Sequence, residues 1–187
     1  MSAIYGYDAF SPKEIAEKID SLGVAKARLP GLSMLMLAIL AGAFIGLGTL
    51  YFVIVKSDPS IGFAERQIMG GIVFSLGLIL VIVAGAELFT GNNLLVMAWA
   101  DRKITIYELL RSWVIVCIGN FIGAVGLASL VFLSGHPEMN EGEIAREYIN
   151  IADAKVNLPF WTAFFRGCYV MHSYAWRSGW RLQVEVS

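Results

Sequence analysis

From Ser33 to Val55 the chain carries no charged side chain, and the same holds from Ser112 to Leu133. A hydrocarbon core about 30 Å thick is crossed by roughly 20 residues of α-helix, so each run is long enough to span a bilayer. Between them, Ile68 to Ala100 is apolar apart from Glu87, but it is too long for one straight helix and is interrupted by Gly85, Thr90, Gly91, Asn92 and Asn93. Lipid is therefore the solvent for much of the chain. Composition agrees: 57% hydrophobic against 16% charged residues is more apolar surface than a soluble domain of 187 residues hides in one core. A net charge of -1 with scattered basic residues gives no footprint for a nucleic-acid partner.

The fold class that follows is an all-α integral membrane protein, with about three spanning helices and the start of a fourth. Residues 1-29 form a polar N-terminal segment. Within it Ser11 is placed to cap a helix, Pro12 suits the first turn, and Glu14 completes a capping box. Ile15, Ile19 and Leu22 fall on one face of that helix, and Lys13, Glu17 and Asp20 on others, which predicts an amphipathic helix lying on the membrane surface or on the bundle. The segment is not a signal peptide, because its charged stretch is long and of both signs. Lysine and arginine are more numerous in the N-terminal segment and the loop after the second span (Lys13, Lys18, Lys26, Arg28, Arg102, Lys103, Arg111) than on the opposite side (Lys56, Arg66, Arg146, Lys155). The N-terminus is therefore expected in the cytoplasm. From Leu158 a fourth apolar run begins, rich in interfacial aromatics (Phe160, Trp161, Phe164, Phe165), but it stops at Arg166.

The interruption of the second run carries the functional signal. An irregular backbone in hydrocarbon leaves amide groups unsatisfied at several kcal/mol each, so it persists only where protein or a water-filled path surrounds it. Glycines around Gly85-Ala86-Glu87-Leu88-Phe89-Thr90-Gly91 release the helix, and the exposed helix ends present partial positive charge to an anion. The competing reading is one span ending near Gly85 with an interfacial extension. Glu87 is expensive at mid-membrane but needs no partner at the cytoplasmic rim, where it is expected as a solvated end residue. Cys117 and Cys168 have neither metal-ligand nor disulfide spacing, and no arrangement of nucleophile and base stands out, so no metal, cofactor or enzyme activity is expected.

Gly71-Ile72-Val73-Phe74-Ser75-Leu76-Gly77-Leu78-Ile79-Leu80, followed by Gly85 to Gly91, resembles the second-helix signature of the formate/nitrite transporters. Leu109 to Gly123, with Trp113 and Gly119-Asn120-Phe121-Ile122-Gly123, resembles that family's third helix, and the likeness runs from about Ala25 to Gly167. The resemblance implies an aquaporin-like helical bundle, a homo-pentamer with one pore per protomer, and transport of a small monovalent anion such as formate or nitrite across the inner (plasma) membrane. It implies that Leu88, Phe89 and Thr90 form the pore loop, with Phe74 at the outer and Leu78 at the inner constriction. Lys155 would attract anions at the outer vestibule. The paired Asn-Pro-Ala signatures of aquaporins proper are absent.

The family's fourth-helix asparagine and fifth-helix histidine have no counterpart. His136 falls in an outer loop and His172 in a tail, and neither is assigned a role. Residues 30-167 are thus expected to be the N-terminal part of a channel domain, and 168-187 a tail of other origin. One permitted back-translation of that tail, with a single G restored after Gly167, reads Gly-Val-Leu-Cys-Asn-Ala-Leu-Val-Cys-Leu-Ala-Val-Trp, an apolar helix of the family's kind. The expectation is a frameshifted, truncated channel. The alternative is a membrane anchor or assembly subunit without a pore, binding partner helices through small-residue faces.

Overall fold

The computed structural model describes residues 11–184, and every regular element among them is helical. The helices are α1 (Pro12–Ala27), α2 (Gly31–Lys56), α3 (Phe63–Val83), α4 (Leu95–Ala100), α5 (Ile106–Leu133), α6 (Glu143–Val156) and α7 (Phe160–Val184). Of these α2, α3 and α5 are long and apolar enough to cross a membrane. At α3 and α5 the helix starts before its uncharged run, because a capping group sits outside the apolar stretch. At α5, Glu108 Oε2 accepts from the Thr105 amide at 2.7 Å while Thr105 Oγ1 accepts from the Glu108 amide at 3.2 Å, so the helix starts before Ser112. At α3, Glu65 accepts from the Gly62 amide in the same way.

The chain divides into two compact units. One holds α2 from Leu32, α3, the C-terminal part of α5 and α6. Its spanning helices meet where side chains vanish. A methyl added at Gly48 or Gly77 would stand 2.7 Å from the carbonyl oxygens of Phe74 and Phe44, so α2 and α3 cross backbone to backbone. At Gly42 and Gly123 it would overlap the backbone of Asn120 and Ile39, so α2 and α5 cross equally closely. Lipid offers no hydrophobic drive for helices to associate, and close backbone approach supplies the dispersion contacts instead. The 3-10 turn His136–Glu138 and then α6 follow α5, with Ile144 of α6 buried.

The other unit holds α1, the residues after the break, the first turns of α5 and α7. Its core is Ala27, Leu95, Ala98, Ile104 and Leu109, with Val24 and Trp113 against it. The capping box forms as expected: Ser11 Oγ accepts from the Glu14 amide and Glu14 Oε2 from the Ser11 amide. The buried face of α1 differs from the expected one. Leu22 is 49% exposed, whereas Asp20, Gly23 and Ala27 are buried. Small residues win because α1 lies close on α4, with Gly23 placed so that a Cβ would stand 3.3 Å from the Ala98 methyl. Asp20 is tolerated there because Lys103 pairs with it. Arg111 donates to the carbonyls of Ala27 and Leu29 at 3.4 and 3.1 Å, placing a cation at the negative end of α1. The α7 backbone stays helical past Arg166, so the end of the apolar run is a change of composition and not of secondary structure.

Candidate functional site: the break in the second span

Helix α3 ends in a Schellman turn. Gly85 adopts φ +62, a conformation open to glycine, and the Ala86 and Gly85 amides donate to the carbonyls of Val81 and Ile82 at 2.9 and 3.2 Å. The chain then leaves helical geometry through Ala86, Glu87 and Leu88. The run from Ile68 to Ala100 is therefore not one helix: α3 ends at Val83 and α4 starts only at Leu95.

The backbone of Glu87 is hydrogen-bonded to the neighbouring spans. The Glu87 amide donates to the Leu37 carbonyl of α2 at 3.2 Å. Asn120 of α5 donates through Nδ2 to the carbonyls of Glu87 and of Ala38, at 2.9 and 2.8 Å. One amide thus ties the break to α2 and α5, and meets the Glu87 carbonyl, which has no helical partner. Ala86 is buried with Ala41 and Val81, and Leu88 packs against that cluster beside Phe44 and Ile45. Glu87 is 3% exposed, which corrects the expectation of a solvated rim residue: the Schellman turn and the Asn120 bonds hold its backbone within the bundle.

Phe89 and Thr90 belong to the other unit and form a turn, in which the Phe89 carbonyl accepts from the Asn92 amide at 3.1 Å and the Thr90 carbonyl from Asn93 Nδ2 at 3.1 Å. The Phe89 ring meets Trp113 edge-on at 6.4 Å. Asn92, fully buried, donates to Ser112 Oγ at 3.1 Å, and Trp113 Nε1 donates to the Asn92 carbonyl at 3.0 Å. The 3-10 turn Gly91–Leu94 and the six residues of α4 follow. Thr90 precedes that turn with its side chain making no cap hydrogen bond.

Phe74 and Leu78 lie one turn apart on α3, Phe74 edge-on to Phe52 of α2 at 6.3 Å. Lys155 stands exposed in the last turn of α6. The structure joins Phe74 to Leu78 along α3 and Phe89 to Thr90 in one turn. It places Leu88 and Lys155 on other elements. Asn120, Asn92 and Ser112 escaped the sequence reading as positioning residues, although an amide side chain inside an uncharged run was a visible signal.

The described residues thus form a multi-pass helical protein in which the non-helical segment after the second spanning helix is bonded to two other spanning helices. A sequence model of the formate/nitrite transporter family matches residues 13–170, and the chain belongs to that family. It is 35% identical over 161 residues to the formate channel FocA of Escherichia coli K12, covering 86% of this chain and 56% of that protein. It is 41% identical over 153 residues to the transporter YrhG of Bacillus subtilis, covering 80% and 56% respectively. A solved pentameric formate channel with formate bound aligns with TM-score 0.63 and 28% identity, over 72% of this chain and 53% of that one. The fold is accordingly the aquaporin-like bundle of this family, and the chain spans just over half the length of the curated relatives it matches.

Proposed function

We propose that the chain is the N-terminal half of a formate/nitrite-type channel or transporter for small monovalent anions, set in the inner (plasma) membrane with its N-terminus in the cytoplasm. The observation that carries the reading is the break itself, with its backbone held by Asn120 within a chain of this family. In this reading Lys155 raises the anion concentration at the outer mouth, Phe74 and Leu78 strip water from the ion, and the Leu88-Phe89-Thr90 loop compensates through the Thr90 hydroxyl. No step requires proton transfer, a metal or a cofactor. The solved relative's assembly supports a homo-pentamer for the intact channel, and residues 168-187 are read as a tail in a shifted frame.

Two experiments test this. The 187-residue chain, purified into liposomes, is expected to give no formate flux above empty vesicles, because half the pore wall lies outside it; flux would overturn the half-channel reading. Fused to the remaining helices of a full-length relative, it is expected to conduct formate, with Thr90→Val reducing the flux about fivefold, the worth of roughly one hydrogen bond. A silent fusion would favour the anchor or assembly-subunit reading. For the tail, DNA read in three frames across codon 167 must offer an apolar continuation, or the frameshift idea fails.

A further inference from the structure

We infer that an apolar groove between α2, α5 and α6 is the seat of an uncharged transmembrane helix from the second half of the fold, and that a separate polypeptide can supply it. The inference rests on the half-channel reading above. Its origin is the geometry of the α2–α5 crossing. The two helices touch backbone to backbone at Gly42 and Gly123, whereas one turn further along α2 a Cβ at Gly46 would meet the Leu127 side chain and no backbone. The wedge left between them is a cavity of about 540 Å³, lined by Ile45 and Thr49 of α2, Ala124 and Ala128 of α5, and Tyr148 and Ile149 of α6 among others.

The lining selects the occupant. None of its residues bears a charge at neutral pH. Burial raises the Tyr148 phenol above its ordinary 10.0, keeping it neutral, and the Thr49 hydroxyl is spent on the Ile45 carbonyl at 3.0 Å. A polar or charged ligand finds nothing to bind. The alanines of α5 present only methyl groups, which lets a helix approach closely, and the volume holds on the order of one turn of a helix about 10 Å across. The matched region leaves nearly half of the relatives' length unaccounted for, so helices of that remainder need faces to pack on.

The experiment co-expresses the full chain with a tagged polypeptide comprising the E. coli formate channel beyond its matched region, with p-benzoyl-phenylalanine replacing Ile149. The expected result is co-purification and a light-dependent adduct between the two chains, lost in Ala128→Trp and retained in Ala128→Ser. Absence of co-purification overturns the inference. So does an adduct only to lipid or to a second copy of this chain, or co-purification with no adduct, since the partner then docks elsewhere. Loss of the adduct in Ala128→Ser as well would also overturn it, because a hydroxyl of that size does not fill the groove. Flux is measured separately on the same complex, so an adduct without formate flux defeats the channel reading and leaves the seat standing.

Discussion

Replacing Asn120 by alanine isolates the energetic role of the amide that holds the break. It removes two hydrogen bonds, at 2.8 Å to Ala38 and 2.9 Å to Glu87, from the interior of the bundle. Side-chain bonds within membrane proteins average about 0.6 kcal/mol by double-mutant cycles, so the pair alone is worth roughly 1 kcal/mol. The Ala38 carbonyl keeps its donor within α2, but the Glu87 carbonyl, left without a replacement donor, adds a desolvation penalty of about 1–3 kcal/mol, and the expected total is about 2–4 kcal/mol. The loss should be local as well as global. The Glu87 amide, bonded to the Leu37 carbonyl, is expected to lose hydrogen-exchange protection, whereas amides of α6 keep theirs. The assay is reversible unfolding of the purified chain in mixed micelles, paired with exchange mass spectrometry over the break. An alanine variant within about 0.3 kcal/mol of the parent, well below the bond energies above, with unchanged exchange at Glu87, would refute the idea that Asn120 holds this backbone.

Three further predictions follow from packing and charge. Gly123→Ala places a methyl against the backbone of Ile39 and should destabilise the bundle by about 1–3 kcal/mol, whereas Gly126→Ala, with open space around it, should change little; thermal unfolding of the two variants side by side decides. Lys103→Met strands the buried Asp20 carboxylate, and about 2–3 kcal/mol is expected, less than a fully buried pair because Lys103 is about half exposed; faster proteolysis of α1 reports it. Ser11→Ala removes the α1 cap, costing about 0.5–2 kcal/mol. The Ser11 hydroxyl and amide lower the Glu14 carboxyl below its ordinary 4.5, so its contribution is complete above that value and lost as the pH falls through the lower folded one; acid titration of α1 helicity should show that loss in the parent and not in Glu14→Gln.

The spans, the capping box and the break were legible because each rests on local sequence. Charge-free runs of membrane length, Ser11 with Glu14, and glycines inside an overlong apolar run mean the same thing in any fold. The buried face of α1 was not legible, since periodicity favours the larger Ile15, Ile19 and Leu22, and only the presence of α4 makes Gly23 and Ala27 the better contact. The burial of Glu87 was missed for a related reason: its place is set by Asn120 and Leu37, which hold its backbone from far away in the chain. The polar residues of the spans were visible, but which backbone they serve is a tertiary fact.

That division bears on how the site would work. On its upstream side Glu87 is held at both its amide and its carbonyl, and on its downstream side the Asn92 carbonyl accepts from Trp113 while the Asn92 amide closes the turn on Phe89. The Asn120 amide and the Trp113 indole thus fix backbone, and the Asn92 amide nitrogen donates to the Ser112 hydroxyl. Thr90 lies between these anchored residues, and its hydroxyl is not committed to capping the turn that follows. A loop that moved freely would lose conformational entropy each time it ordered around an ion. Asn120→Ala and Thr90→Val should therefore differ in kind. The first should weaken stability and flux together, and the second should reduce flux in the fused channel with unfolding unchanged.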